Sequence, residues 1–344
     1  MPCPQSYEGG EDCEDSMAHR VPGGVGGPTG EGEIDNLGVD DLGVNEYYSN
    51  ERLSNIIKQK RDGDITVLYY NIGSLPKYFH DLHSRLAILN FNPDIIGLSE
   101  TKVTNIVNSN YNPHLDGYKF YQSKSSTTHG SVGVFVKKSL DITIRDDLDI
   151  SIPGIFETIW FDVNHKLRGK HSTIGIVYRH PGPTSIPFFE RRLETSLSKL
   201  NSKNSNVYLF GDFNINSLKY DEIYNVKSFI DTMHSYSFVN LINKPTWFPR
   251  GKQPGKPSLL DHFYTNKLNT VVNIGLSVCD ISDHMPIVAT IGIPSKKNIV
   301  QNLNPYIRDF RNLNSAKFNE SLSHFTCSDT ENMDVYFNNL HNHF

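Results

Sequence analysis

Several features are scarce or missing in this sequence, and each absence argues against a class of protein. No run of about 18 apolar residues occurs, so we do not expect a membrane-spanning helix. The first residues contain no basic stretch followed by an apolar stretch, so we do not expect a secretory signal. The four cysteines lie far apart or in polar segments, which argues against a disulfide framework and a cysteine-based zinc module. These absences predict an intracellular protein of the nucleus or the cytoplasm, neither secreted nor bound to a membrane.

Basic residues are almost missing from the first part of the chain. Residues 1–46 hold eleven acidic side chains and one basic side chain, Arg20, whereas residues 47–344 hold 32 basic and 27 acidic side chains. The acidic, glycine-rich head has few large apolar residues to offset chain entropy, so we expect residues 1–46 to be disordered. The rest of the chain has a net charge of +5, which is compatible with a polyanionic partner without requiring one.

Short apolar runs rich in β-branched and aromatic residues begin at Ile65. They predict buried strands with the sequences ITVLYYNIGSL, DIIGLSE, YKFYQS, GSVGVFVK, TIWFDV, TIGIVYR, NVYLFGDFN, SLLDHFYTN and HMPIVATIG. Helical spacing of apolar residues predicts amphipathic helices over Lys77–Asn90, Pro187–Lys199 and Tyr224–Tyr236. Strands outnumber helices and several follow one another directly, which favours antiparallel or mixed sheets flanked by helices.

The segments on either side of this strand-rich region differ from it in composition. Residues 47–64 predict a lead-in segment that contains a short helix. Residues 295–344 form a polar, asparagine-rich tail with one weakly amphipathic stretch. We therefore place a single folded domain at residues 65–294.

Polar residues recur at the ends of the predicted strands, where they would meet at one edge of a sheet. Carboxylate and amide oxygens are hard ligands of the kind that Mg²⁺ prefers. A histidine paired with an aspartate can act as a general base or donate to a phosphate. Together these groups suit the metal-assisted hydrolysis of a phosphodiester. The residues are Asn71, Glu100, Asp212, Asn214 and Asp261, and the Ser282-Asp283-His284 sequence before the last strand.

Each of these residues also has an ordinary structural interpretation. An Asn or Asp at a strand end is usually a turn former. Glu100 could begin the next helix as a favourable N-terminal charge, and His284 could be a core histidine with satisfied hydrogen bonds. The hypothesis of a catalytic site therefore depends on the joint order of the motifs.

The order of the motifs resembles that of the endonuclease/exonuclease/phosphatase superfamily over about Ile65 to Pro294. The motifs are NIG at Asn71, SET at Glu100, VYRHP at Tyr178, GDFN at Asp212 and Asn214, SLLDHFYTN at Ser258 and Asp261, and SDH at His284. Within the superfamily the chain is most similar to the endonuclease of non-LTR retrotransposons, of which PTWF (Pro245–Phe248) followed shortly by SLLDHFYTN is typical. The tail also resembles the leader to a reverse transcriptase, a domain that we expect in the parent element and that is absent from this chain.

The resemblance implies a fold, a cofactor and a set of roles. The implied fold is a four-layer α/β (α+β) sandwich, in which two mixed, mostly antiparallel sheets pack face to face between helices. The implied cofactor is Mg²⁺, with Mn²⁺ as the alternative, held by Glu100 with support from Asn71 and with Asp283 on the metal side. The implied catalytic residues are Asp212 and Asn214, which position the water and the phosphate; His284, which contacts the scissile phosphate and is oriented by Asp261; and Tyr178, which donates to the phosphate or the leaving oxygen.

Two further places in the sequence bear on the substrate. Gly73 stands where some repair-type members carry an acid, which argues against a repair role and leaves the number of metal ions open. The loop that follows PTWF carries three cations among Gly and Pro residues. It is either a solvated turn or, as in the family, a hairpin that contacts DNA phosphates. We predict that it contacts DNA, through Arg250, Lys252, Lys256, Thr246 and Ser258.

The leading hypothesis is a divalent-metal-dependent endonuclease that nicks double-stranded target DNA for a non-LTR retrotransposon. One alternative is a phosphatase or phosphodiesterase of the same superfamily with a substrate other than DNA. The other is a truncated element remnant, either catalytically unused or co-opted as a binding domain.

Overall fold

The computed structural model describes residues 46–103, 113–123, 130–165, 170–181, 186–200, 206–250 and 255–292. The predicted acidic head, apart from Glu46, lies outside these residues, and so does the predicted tail. Lys252 of the predicted DNA-binding loop also lies outside them.

The strands and helices of the described residues follow in chain order. The strands are β1 (Tyr47–Tyr48), β2 (Ile65–Asn71), β3 (Ile95–Ser99), β4 (Tyr118–Gln122), β5 (Val132–Lys137), β6 (Ile142–Ile144), β7 (Phe156–His165), β8 (Lys170–Arg179), β9 (Asn206–Asp212), β10 (Val239–Asn240), β11 (Asp261–Thr265), β12 (Val271–Ser277) and β13 (Ile287–Ile291). The helices are α1 (Asn50–Lys58), α2 (Leu75–Ile88), α3 (Ile186–Lys199) and α4 (Tyr224–Ser235). None of these helices has both the length and the apolar character needed to span a membrane.

Two mixed sheets form the two inner layers of the fold. The first has seven strands in the order β1-β12-β13-β2-β3-β5-β4, and the second has six in the order β10-β11-β9-β8-β7-β6. Most neighbouring strands are antiparallel, but β2 pairs with β3 in parallel, and so does β8 with β9. Strands such as β2 are buried along their whole length because both of their faces are covered, which explains their continuous apolar sequence.

Three apolar clusters join the layers of the fold. The central cluster lies between the sheets and draws residues from both, among them Tyr69 of the first sheet and Phe210 of the second. A second cluster packs α1 and α2 on the outer face of the first sheet, with Leu53 and Leu82 as helix contributors. The third packs α3 and α4 on the outer face of the second sheet. The predicted four-layer sandwich is confirmed.

Residues 47–64, which we predicted as a lead-in segment, contribute directly to the first sheet. β1 pairs in parallel with β12 at the sheet edge. Tyr48 is buried, and its hydroxyl donates a hydrogen bond to the backbone oxygen of Ile274 at 2.6 Å. α1 begins after Ser49, whose side chain accepts a hydrogen bond from the backbone N–H of Arg52 and so caps the helix. β12, with the sequence VVNIGLS, was not among the predicted strands.

The pairing register brings the polar strand ends to one edge of the sandwich. Asn71 is level with Ser99, the residue that precedes Glu100. In the second sheet, Asp212 is level with Tyr178 on one side and with Asp261 on the other. Because these strand ends lie at the same edge of the two packed sheets, their side chains can meet.

Candidate active site

The amide of Asn71 lies at the centre of the polar cluster. Asn71 is buried, and its Nδ2 donates to Asp212 Oδ2 at 2.8 Å and to Glu100 Oε1 at 3.0 Å. The same nitrogen lies 3.4 Å from His284 Nε2. The other side of the amide is fixed by a local turn, since the backbone N–H of Gly73 donates to Asn71 Oδ1 at 3.1 Å. One side chain therefore connects polar residues from both sheets.

His284 and Asp261 form a buried pair beside this amide. Nδ1 of His284 lies 2.7 Å from Asp261 Oδ2, and its Nε2 lies 4.0 Å from Asp212 Oδ2. Burial disfavours the imidazolium, but the charge and hydrogen bond of Asp261 outweigh that effect and raise the pKa of His284 to about 10. His284 is therefore protonated at neutral pH, with Nε2 directed towards the cluster.

Asp212 is held in place by the GDFN turn. Its Oδ1 accepts a hydrogen bond from the backbone N–H of Asn214 at 2.9 Å. Gly211 permits this arrangement, because a Cβ at that position would lie 2.3 Å from the backbone oxygen of Val177. Burial and then the nearby charge of Asp261 raise the pKa of Asp212 to about 7, against the opposing effect of His284. A carboxylate with a pKa near neutrality is suited to accept a proton.

Glu100 differs from the other acids because it is partly exposed to solvent. Its side chain is 24% exposed and lies 3.7 Å from Lys102 Nζ. Its backbone is in the left-handed region at φ 49°, which is unusual for a residue with a side chain. Burial and then the charge of Glu100 raise the pKa of Tyr178 above its ordinary value, so Tyr178 remains a neutral hydroxyl donor.

The donor set fits a divalent cation. Glu100 offers hard carboxylate oxygens at the open side of the cluster, and Asn71 supports this side chain by donating a hydrogen bond to it. At the buried side, the carboxylates of Asp212 and Asp261 add further oxygens, and one oxygen of each lies within 4.8 Å of the other and of a His284 nitrogen. Asp261 Oδ1 is buried and has no hydrogen-bond partner among the described residues, as expected for a carboxylate oxygen whose environment is completed by a further group.

The comparison with protein families identifies the group to which this site belongs. The model of the endonuclease/exonuclease/phosphatase family matches residues 68–284, which is more than half of the 344 residues. The chain belongs to this family. Members are typically metal-dependent phosphodiesterases and nucleases. The search of curated proteins found no match.

Solved structures of other family members share the fold. The endonuclease domain of TRAS1, a telomere-specific non-LTR retrotransposon, is 16% identical with a TM-score of 0.50, over 67% of this chain and 100% of its own. The AP endonuclease LMAP from Leishmania major is 16% identical with a TM-score of 0.53, over 76% of this chain and 100% of its own. A 3′-5′ exonuclease from Neisseria meningitidis is 14% identical with a TM-score of 0.50, over 67% and 100%. At these identities the likeness is one of fold.

Two residues that we predicted to contact DNA have hydrogen-bond partners within the protein. Thr246 is fully buried, and its hydroxyl accepts hydrogen bonds from the backbone N–H groups of Asp261 at 2.9 Å and Leu260 at 3.1 Å. Thr246 therefore fixes the strand end that carries Asp261. The hydroxyl of Ser258 accepts a hydrogen bond from Asn216 Nδ2 at 3.2 Å.

Asp283, which we predicted on the metal side, has a different partner. Its Oδ2 accepts a hydrogen bond from the indole of Trp247 at 2.9 Å, and its backbone oxygen accepts one from Phe248 N–H at the same distance. Trp247 also forms isolated β-bridges to Ser258 and His284. The PTWF segment thus joins the loop that follows it (residues 249–257, the hairpin loop) to the loop that carries His284 (residues 278–286, the histidine loop). Asp283 influences His284 through its charge, which contributes to the raised pKa.

The remaining predicted cations lie at the surface beside the site. Arg250 is exposed, and its Nη2 donates to the backbone oxygens of Asp280, at 2.7 Å, and Ser282. Lys256 is exposed on the other arm of the hairpin.

Two supporting residues in the VYRHP motif were not predicted. Arg179 is buried and donates to the backbone oxygens of Phe213 and Asn214, each at 2.7 Å, which holds the GDFN turn. His180 Nε2 lies 2.9 Å and 3.0 Å from the two carboxylate oxygens of the buried Glu157. The His180 ring packs edge-on against Tyr178, with ring centroids 4.7 Å apart. In the sequence, the signal that could have identified Arg179 and His180 was their position directly after Tyr178 in the VYRHP motif.

Proposed function

We propose that this family hydrolase is a divalent-metal-dependent endonuclease that nicks double-stranded DNA and derives from a non-LTR retrotransposon. The observation that carries the proposal is the convergence on the Asn71 amide of Glu100, Asp212 and the His284–Asp261 pair. These residues come from five different strand ends or loops, so their meeting is not a consequence of local turn formation.

The chemistry follows from the environment of each group. A divalent cation held by Glu100 and Asn71 would neutralise charge that develops on the phosphate. His284, protonated and held by Asp261, would donate from Nε2 to a phosphate oxygen. Asp212 would orient the attacking water and accept its proton, since its pKa is near neutrality. Tyr178, as a neutral hydroxyl, would donate to the phosphate or to the leaving oxygen.

DNA as the substrate is supported by the charge and position of the rim. Residues 47–344 have a net charge of +5, and Arg250 and Lys256 are exposed on the hairpin that Trp247 joins to the histidine loop. Cations next to the reacting phosphate add contacts to the neighbouring phosphates of a polyanion. The retrotransposon origin is supported by the PTWF and SLLDHFYTN motifs and by the fold shared with the TRAS1 endonuclease domain.

The test is a supercoiled-plasmid nicking assay on the full chain, with Mg²⁺ and with chelator. We expect conversion of supercoiled to open-circular plasmid that requires the metal. Matched reactions with a phosphomonoester and with an inositol phosphate as substrate address the phosphatase alternative. Release of phosphate from either one, without plasmid nicking, would replace the proposed function by that alternative.

A further inference from the structure

An open groove of about 690 Å³ adjoins the histidine loop on the side of α1 and α2. It is separate from the catalytic cluster, although Ser282 and Asp283 line it and directly precede His284. Its volume is within the range of about 300–1,000 Å³ that is typical of ligand sites. Two arginines line the groove, Arg85 from α2 and Arg250 from the hairpin.

Both arginines are fixed by neutral acceptors. Arg85 Nη2 donates to Ser277 Oγ at 3.1 Å, to Asn50 Oδ1 at 3.3 Å and to the backbone oxygen of Val278. Arg250 Nη2 donates to two backbone oxygens. Within the described part of the chain, neither guanidinium forms a direct ion pair with a carboxylate.

Among the described residues, each arginine forms its hydrogen bonds through only one nitrogen. Arg85 and Arg250 both bond through Nη2. A guanidinium has five N–H donors in a fixed planar arrangement, so Nε and Nη1 of each remain for a further acceptor. A guanidinium whose orientation is already fixed loses less freedom when it binds an anion.

The other residues of the groove favour a chain over a small ion. Two acids, Asp280 and Asp283, also line it, and the Trp247 indole holds the Asp283 carboxylate in place. Phe248 and the half-exposed Val278 give the groove an apolar wall. Such a wall can contact the sugars that connect successive phosphates.

We propose that the Arg85–Arg250 groove binds the phosphate backbone of the DNA strand next to the scissile bond. The inference rests on the proposed function, because it extends the path of the same substrate. Ser282 and Asp283 belong to the histidine loop and also line the groove, so a DNA strand that passes His284 can enter the groove directly. The two arginines then each contact a phosphate, and the groove fixes the direction in which the strand leaves the site.

Two variants of the full chain test the groove without touching the catalytic cluster. Arg85→Gln removes one cation, and Val278→Glu adds an opposing charge at a 51% exposed position without removing any hydrogen bond of a side chain. Ile88→Glu is the matched control, because Ile88 is 80% exposed on α2 and does not line the groove. The readout is binding of a fluorescent DNA duplex at several salt concentrations without divalent metal, together with thermal unfolding.

We expect Arg85→Gln and Val278→Glu each to raise the Kd for duplex DNA by about fivefold, the size of one exposed charged contact. The slope of log Kd against log salt should become shallower by about 0.9 for Arg85→Gln, because one phosphate contact is lost. Ile88→Glu should bind DNA like the wild type.

The groove proposal is overturned if Val278→Glu binds like the wild type, even where Arg85→Gln is weaker, because Arg85 would then act only by joining α1, α2 and β12. It is also overturned if Ile88→Glu weakens DNA binding as much as the two groove variants do, or if the groove variants lose affinity for duplex RNA and not for duplex DNA. These results leave nicking by the wild type intact. A wild type that neither binds nor nicks DNA would instead refute the proposed function, and the groove proposal with it.

Discussion

The floor of the site is buried, and its rim is exposed to solvent. On the floor, Asn71, Asp212, Asp261 and His284 are each at most 6% exposed and hydrogen-bonded to one another. On the rim, Glu100 has a 24% exposed side chain, and Arg250 and Lys256 of the hairpin are exposed. The floor is therefore preorganised, whereas the rim can be reached by a metal ion and a polyanion.

This difference separates chemistry from recognition. Buried groups have shifted pKa values because water is excluded, as the values of about 7 for Asp212 and about 10 for His284 illustrate. Exposed cations act through their number and position. Changes on the floor should reduce turnover, and changes on the rim should alter DNA affinity and its salt dependence. Glu100 lies between the two, since it contacts the floor and faces solvent.

The largest expected effect is at Glu100. Glu100→Ala should reduce Mg²⁺-dependent nicking by about 10³-fold or more, because loss of the metal removes several kcal/mol of charge stabilisation from the transition state. The protein should unfold at the wild-type temperature, since this carboxylate is partly exposed. Nicking that persists in Glu100→Ala at saturating Mg²⁺ would remove Glu100 from the metal site.

Asp261→Asn tests whether the buried pair acts as a unit. We expect nicking to fall by about 10²-fold, within the range of general acid–base catalysis. The neutral amide that replaces the Asp261 carboxylate no longer holds His284 in its orientation or favours its protonated form. Protonated His284 is the active form, so activity should be lost as the pH rises through its pKa. Because the substitution lowers that pKa, the variant should lose activity at a lower pH than the wild type. Equal rates and equal pH profiles would show that Asp261 is structural.

Charge reversal at the hairpin addresses the rim. Lys256→Glu combined with Arg250→Glu should raise the Kd for duplex DNA and make its salt dependence shallower by about 0.9 for each lost phosphate contact. Lys58→Glu combined with Lys138→Glu, at two exposed lysines away from the hairpin, is the control for the same change in net charge. A salt slope that is unchanged in the hairpin variant would mean that the loop is a solvated turn.

Substitution of Thr246 tests whether its side chain supports the site from inside or contacts DNA. Thr246→Val leaves the backbone N–H groups of Leu260 and Asp261 without their acceptor, which should reduce the free energy of unfolding by about 1–3 kcal/mol. Thr246→Ser keeps the hydroxyl and should be close to wild type in a denaturant titration. If Thr246→Val instead unfolds like the wild type but binds DNA weakly, Thr246 contacts DNA after all.

The last expected effect is a pH dependence of the free energy of unfolding, caused by a buried histidine behind the floor of the site. His262 is buried, its ring stacks on Phe213 with centroids 4.9 Å apart, and burial lowers its pKa to about 4. The unfolded chain takes up the proton near pH 6.5, so His262 contributes its full stability above about pH 6.5 and loses up to about 3 kcal/mol as the pH falls to about 4. His262→Gln should flatten the unfolding free energy between these pH values, whereas His83→Gln, at an exposed position, should not.

The buried strands and the residues of the candidate site could be predicted because both follow local patterns. Asn71 and Asp212, for example, stand directly after apolar runs, so their place on the strand ends follows from the sequence. β1 could not be found in this way, because two residues show no periodicity and their pairing with β12 depends on contacts more than 200 positions away.

The supporting residues of the site were harder to predict than the catalytic ones. Thr246 has the composition and neighbours of a surface loop, and only the packing of PTWF between Ser258 and His284 buries it. Arg179 and Glu157 contact the site across strands, so their roles depend on strand register, which no local pattern contains. Recognition of motif order finds the groups that carry chemistry, and tertiary structure shows what holds them.

The most direct test of the account is the single-turnover rate of plasmid nicking in saturating Mg²⁺ by the wild type and by His284→Ala, with thermal unfolding measured on both. We expect the wild type to nick the plasmid, and we expect the folded variant to have a nicking rate lower by about 10²–10⁴-fold. A folded His284→Ala protein that nicks at the wild-type rate would contradict it, because the buried floor would then not perform the chemistry.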